Sequence, residues 1–222
     1  MISYTAAQVR AAEQPFLDAG VPLMQRAALA LADEISAVVD HAQMSTRDSA
    51  PARVLLVVGS GNNGGDALFA GAILAARGLL IDVVQTSERV HEAGLTAAEQ
   101  AGATVTSAED VDALHYDIIV DAILGTGSSG SGLRGTAREI VQRMLSQLTE
   151  PQHPIIVACD LPSGIHPDTG AVPDTCVLRA EVTVTFGAAK TGMLREPAAW
   201  YVGRLVVADI GLAAELERIA AG

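Results

Sequence analysis

Lysine occurs once in these 222 residues, at position 190. Lysine and arginine together number 14 against 26 aspartates and glutamates, a formal charge of −12. A chain so short of cations lacks what a phosphate backbone needs, which argues against nucleic acid as a partner. Aromatic residues are also scarce: three Phe, three Tyr and one Trp leave the core to Ala, Val, Leu and Ile. Two cysteines, Cys159 and Cys176, make neither a disulfide framework nor a zinc site alone, and they fit a reducing cytosol. No apolar run approaches the roughly 20 residues that span a bilayer. Residues 1–16 lack the basic start and apolar stretch of a secretory leader. The expectation is a cytoplasmic protein with no membrane partner. Half of the residues are hydrophobic, enough for one domain over 1–222 to bury a core without staples.

Two helices are expected first. Thr5 suits the N-cap of a helix over 6–17 that Gly20 ends. Pro22 suits the first position of a second, over 22–41, where Met24, Ala28, Leu31, Ile35 and Val38 recur at spacings of three and four. The polar stretch 43–51 reads as a connector. From Arg53 the period changes. Val54, Leu55, Leu56, Val57 and Val58 form a continuous apolar run stopped by Gly59, the pattern of a strand covered on both faces. Strands are expected over 79–85, 103–106, 117–121, 155–159, 182–186 and 204–208, with helices over 66–77, 90–100 and 136–148. Residues 160–179 read as loop and turns. Apolar strands alternating with helices predict an α/β fold with a mostly parallel sheet.

Ligands of such sheets bind outside the carboxyl ends of the strands. Four loops leave those ends, at 59–66, 125–135, 160–170 and 186–192, and they hold more than half of the glycines. The first contains G-x-G-x-x-G between a strand and a helix, a setting that favours a nucleotide pyrophosphate on the helix N-terminus. The ordinary dehydrogenase reading is weaker. It wants an acid ending the second strand, whereas Asp82 lies within that strand and Glu88 beyond it. Asn62, Asn63 and Asp66 add hydrogen-bonding groups that a plain pyrophosphate loop does not need, although Asp66 could simply cap the first helical turn.

Asp121 and Asp160 each end an apolar strand, where a carboxylate is costly to desolvate unless paired or bound to a cation. One reading gathers both acids with Ser163 and the Asn63 amide in an oxygen-lined pocket suited to a hard cation. The other has each acid capping its own loop by accepting backbone N–H bonds. Lys190, beside these strand ends, could hold a phosphate or tune an acid, or could be a solvated surface lysine. No G-x-S-x-G, H-E-x-x-H or C-x-x-C is present, and His166, the one histidine in a candidate loop, reads as a turn residue.

Five stretches together carry a resemblance. They are 59–66 (GSGNNGGD), 120–127 (VDAILGTG), 160–164 (DLPSG), 186–192 (FGAAKTG) and 203–211 (GRLVVADIG). In this order the chain resembles the NAD(P)H-hydrate epimerase family, whose domain also forms the N-terminal half of bifunctional NAD(P)H-hydrate repair enzymes. The resemblance implies a Rossmann-like three-layer α/β/α sandwich with two N-terminal helices, commonly a homodimer, that binds hydrated NADH or NADPH (NADHX, NADPHX) and a potassium ion. It implies that Asn62, Asn63, Gly64, Gly65 and Asp66, with Gly125, Thr126, Gly127, Ser128, Ser129, Gly130 and Ser131, hold the nucleotide. Asp160 would contact the substrate, and Asn63, Asp121 and Ser163 would hold potassium.

The sequence departs from the family pattern at Ala67, at His166, at Gln25 and Arg26, and in a longer loop after Ser128 that lacks a proline. The resemblance fits a stand-alone epimerase or the first half of a fused enzyme whose dehydratase follows. The expected activity is epimerisation of the R and S hydrates, with Asp160 carrying the proton and Lys190 tuning it or holding a phosphate. An NAD(P)-dependent oxidoreductase and a non-catalytic nucleotide-binding module are the alternatives.

Overall fold

The computed structural model describes residues 2–46, 50–128, 130–149 and 153–221, and the side chains of all of these except 42–46. Its elements are β1 (Ser3–Tyr4), α1 (Ala6–Asp18), α2 (Leu23–Thr46), β2 (Arg53–Val58), α3 (Asn62–Ala76), β3 (Leu80–Gln85), α4 (Glu92–Gln100), β4 (Thr104–Thr106), β5 (Ile118–Ala122), α5 (Gly135–Gln147), β6 (Ile155–Cys159), β7 (Val182–Phe186), β8 (Ala189–Lys190), α6 (Ala199–Val202), β9 (Arg204–Ala208) and α7 (Ala213–Ala221). Part of the connector expected at 43–51 is the end of α2, and its positions 47–49 lie outside the described residues.

The apolar run 54–58 is the central strand. Side chains alternate across a sheet, so Val54, Leu56 and Val58 enter a core with Leu31, Ile35, Leu68 and Leu74 of α2 and α3. Leu55 and Val57 enter a second core with Ile140, Val141 and Met144 of α5. Burial on both faces is what a continuous apolar strand requires, and the result is a three-layer α/β/α arrangement. The seven strands run in the order β4-β3-β2-β5-β6-β7-β9, every pairing parallel. Winding reverses between β2 and β5, which opens a crevice at their carboxyl ends. Val57 pairs with Asp121 there, and Asp121 with Ala158 of β6, so the loops that follow emerge side by side.

Several elements differ from the expectation, among them the short α6. The third helix starts at Asn62 rather than Asp66, so the Asn-Asn-Gly-Gly stretch is its first turn and not a loop. Residues 213–221 form α7, whose Leu216 is buried in the first core. A second, two-stranded parallel sheet pairs β1 with β8, Tyr4 opposite Lys190. Thr5 caps α1 as expected, in a reciprocal capping box with Gln8. Among the described residues no helix is long and apolar enough to cross a membrane.

Candidate active site

The cleft at the reversal of winding encloses about 400 Å³. The start of α3 forms one wall, through Ser60, Asn62, Asn63 and Asp66, and residues 123–128 form the opposite one. Close backbone contact sets this spacing. A Cβ on Gly59 would sit 2.0 Å from Ile123 O, and one on Gly64 would sit 2.2 Å from Gly59 O. Glycine is therefore required at both positions. Gly61 is the N-cap of α3 and offers no side chain to its first N–H groups, which leaves them for an anionic ligand.

Asp121 and Ser163 lock two of the loops together beneath the cleft. Asp121 is 1% exposed, and its Oδ2 accepts from Ser163 N–H at 2.8 Å. Ser163 Oγ in turn accepts from Leu124 N–H at 2.9 Å. Burial pushes the Asp121 carboxyl up, and the hydrogen bonds from Ser163 and Ile123 N–H only partly oppose it. Asn63 Nδ2 donates to Leu124 O at 3.1 Å, while Asn63 Oδ1 is buried with no hydrogen-bond partner.

Asp160 stands at the end of β6 with φ +67°, the left-handed region that a non-glycine residue seldom enters. That conformation aims its carboxylate at two loops at once. Oδ2 accepts from Thr126 N–H at 2.9 Å, and Oδ1 accepts from Thr185 Oγ1 at 3.1 Å and from Lys190 Nζ at 2.5 Å. Burial alone would raise this carboxyl, but the Lys190 charge and these hydrogen bonds outweigh it and hold it below the usual range. Lys190 is 1% exposed and donates also to Thr185 Oγ1 at 2.8 Å and Phe186 O at 3.2 Å. It is not the solvated lysine that its sequence context allowed.

Asn62, Asn63, Asp66, Gly125, Thr126, Gly127, Ser128, Asp160 and Lys190 all line the cleft. Gly64 and Gly65 lie behind its wall, Gly64 against Gly59 and Gly65 against the His91 ring. Ser131 lines an adjoining cleft of about 380 Å³, reached past Gly127 and Ser128, with Thr86, Ser87 and Arg134. Gly130 packs on the His166 ring, and Ser129 lies outside the described residues. His166 Nδ1 accepts from Asp168 N–H at 3.1 Å, as a turn residue does.

Two lining residues escaped the sequence reading. Arg10 and Glu13 reach the cleft from α1, and Arg10 Nη1 donates to Thr126 O at 2.7 Å. Their only signal was a spacing of three residues beside the buried Val9 and Ala12. Among the described residues no cluster of three or more His, Cys, Asp or Glu forms a metal-binding group. Asn63 Oδ1 is left unpaired, and Leu124 and Ser163 link Asn63 to Asp121, so these residues could offer oxygens to a hard cation.

Residues 20–192 match the family model described as YjeF-related protein N-terminus. The chain is 44% identical over 217 residues to the NAD(P)H-hydrate epimerase of Clavibacter michiganensis subsp. michiganensis, covering 94% of this chain and 90% of that protein. It is 38% identical to the bifunctional NAD(P)H-hydrate repair enzyme Nnr of Mycobacterium tuberculosis (strain CDC 1551 / Oshkosh), and there covers 94% of this chain and 41% of that protein. In structure it resembles yeast ynu0, with a TM-score of 0.73 at 19% identity over 93% of this chain and 87% of that one.

Proposed function

The chain belongs to the YjeF-related N-terminus family of NAD(P)H-hydrate epimerases, and from that premise we propose how its cleft turns one epimer of a hydrated nicotinamide nucleotide into the other. The substrate is the R or S form of NADHX or NADPHX. Inverting its hydrated ring carbon requires the hydroxyl to leave and return on the other face, or the ring to open and reclose. Both routes need a proton moved at a fixed place.

The observation that carries the assignment is the Asp160–Lys190 pair at the cleft wall, a carboxylate kept ionised by a buried ammonium 2.5 Å away. An ionised carboxylate accepts a proton, and the left-handed backbone at Asp160 fixes its direction. Lys190 acts on that carboxylate as its counter-charge. The bare N–H groups at the start of α3 suit a pyrophosphate, and two adjoining clefts suit the two halves of a dinucleotide. A Rossmann-like reading of the fold is supported by the order β4-β3-β2-β5-β6-β7, which winds outward both ways from β2 and β5.

Potassium would be held by Asn63 Oδ1, Asp121 and Ser163. When bound it would supply positive charge beside Asp121 and hold the 59–66, 121–128 and 160–164 segments together. A relative named as bifunctional, of which this chain covers 41%, supports a second activity beside this one. A dehydratase acting on the same hydrates, fused or separate, is the fitting partner, and a cytoplasmic homodimer is the fitting state.

Chiral separation of NADHX epimers, with and without the protein, tests the reading. The protein should bring an unequal R and S mixture to equilibrium without consuming reduced cofactor. An unchanged ratio would leave a binding module, and oxidation of an alcohol substrate would favour the oxidoreductase alternative.

A further inference from the structure

Three carboxyl groups line the cleft, those of Glu13, Asp66 and Asp160, and only Asp160 has a cationic partner among the described residues. An ammonium has three N–H donors, and those of Lys190 go to Asp160 Oδ1, Thr185 Oγ1 and Phe186 O. Arg10 directs Nη1 to Thr126 O. Among the described residues the Glu13 and Asp66 carboxyls receive no hydrogen bond. Among the described residues the charged and titratable groups of neighbouring elements are engaged elsewhere. Arg26 of α2 donates to Ile210 O, Glu215 and Arg218 of α7 pair with each other, and His91 Nδ1 accepts from Gly94 N–H.

Two partly buried carboxyls that line one cleft with an ionised third, and lack its counter-charge, are more readily protonated than exposed ones. Burial is the largest effect on both and raises them; the Asp160 charge also raises both, while Lys190 lowers both, on Glu13 by more than Asp160 raises it, and Arg10 lowers Glu13. The Glu13 charge also raises Asp66, so each favours the proton on the other. Carboxyls whose surroundings separate them in this way divide the roles of acid and base.

We propose that Glu13 and Asp66 together hold the proton that the epimerisation delivers, opposite Asp160, which receives one. The inference rests on the epimerase reading and applies to its ring-opening route. The Asp160 carboxylate takes the proton of the hydroxyl on the hydrated carbon, and that oxygen's electron pair forms a carbonyl. The bond from this carbon to the ring nitrogen breaks with its pair staying on nitrogen, which takes the proton held by Glu13 and Asp66. After rotation the nitrogen adds to the other carbonyl face and returns its proton to the pair, while the oxygen recovers its proton from Asp160. Every group ends as it began, and nothing is oxidised or reduced.

Infrared difference spectra in H₂O and D₂O, with kcat and KM against pH, test this on the wild type and on Glu13→Gln and Asp66→Asn. The expected result is a protonated-carboxyl C=O stretch at neutral pH that shifts in D₂O and weakens in each variant. With it, kcat falls by about 10²-fold, the lower range for a lost general acid, while KM changes little. The wild-type decline of kcat at high pH disappears in Asp66→Asn. Glu13→Asp, which keeps a titrating group, retains that decline and most of the activity that Glu13→Gln loses. A wild type without that stretch, or variants that keep both kcat and the alkaline decline, would overturn the inference. A wild type with the stretch but no epimerisation would instead overturn the functional reading and leave the proton-holding pair in place.

Discussion

Lys190 Nζ lies 2.5 Å from Asp160 Oδ1, with the two side chains 1% and 7% exposed. The pair joins the end of β6 to a strand that packs against the first residues of the chain. A buried pair of this kind is strongly destabilised when one partner is removed, by about 3–5 kcal/mol, because the other charge is left uncompensated.

Asp160→Asn keeps the shape and one oxygen acceptor but loses the charge and the proton site. Epimerisation should fall about 10²–10⁴-fold, toward the spontaneous rate, while NADP binding stays near wild type. The same variant should melt lower than wild type. Initial rates and a thermal melt check both parts, and turnover above about a tenth of wild type would remove Asp160 as the proton carrier.

The same carboxyl makes stability depend on pH. Its pKa is lowered in the folded protein from an unfolded value of about 3.9. Its contribution is therefore fully present above that value and is lost as pH falls through the folded one. Asp66 has the opposite sign: its folded pKa is raised, so its cost is absent in acid and grows as pH rises past the unfolded value. Urea midpoints against pH should show Asp160→Asn approaching wild type in acid. Asp66→Asn should gain on wild type toward neutral pH. A constant offset for either variant would contradict its assignment.

Much of this was legible in the sequence. The run 54–58 announced a strand covered on both faces, because five successive apolar residues leave no side for water. Asp121 and Asp160 stood out because a charge at the end of an apolar strand needs a partner. The α3 start was missed for a physical reason: Asn and Gly have poor helix propensity, and here the helix begins with them because Gly64 must meet Gly59 backbone to backbone. The burial of Lys190 was not legible either. It depends on a two-residue ladder with Ser3 and Tyr4, too short to leave any periodicity.

Gly59→Ala and Gly64→Ala should each disrupt the cleft, since the added Cβ meets a backbone oxygen at 2.0 or 2.2 Å. Overpacking of this sort costs about 1–3 kcal/mol or more, and nucleotide affinity should fall with it. Gly61→Ala is the control. Nothing lies within 4 Å of its Cβ, so only the N-cap preference, up to about 1 kcal/mol, opposes it. Equal melting temperatures for all three would show that the close approach is not limiting.

Activity should persist in EDTA and respond to potassium, because the oxygen set of Asn63, Asp121 and Ser163 carries one carboxylate, whereas magnesium is usually held by carboxylates with its own waters and substrate phosphates. Asp121→Asn should raise the potassium concentration needed for half-maximal rate. Loss of activity in EDTA that magnesium restores would exclude this ion assignment.

The ladder between β1 and β8 ties Ser3 and Tyr4 to Ala189 and Lys190, so the buried lysine is anchored by a contact between widely separated parts of the chain. Closing so long a loop yields nothing until nearly all the intervening chain is in place. During synthesis Glu13 and Asp66 emerge from the ribosome long before Asp160 and Lys190 exist. A half-made chain therefore carries one wall of the cleft without the Asp160–Lys190 pair, and the cleft is complete only once β8 has paired with β1.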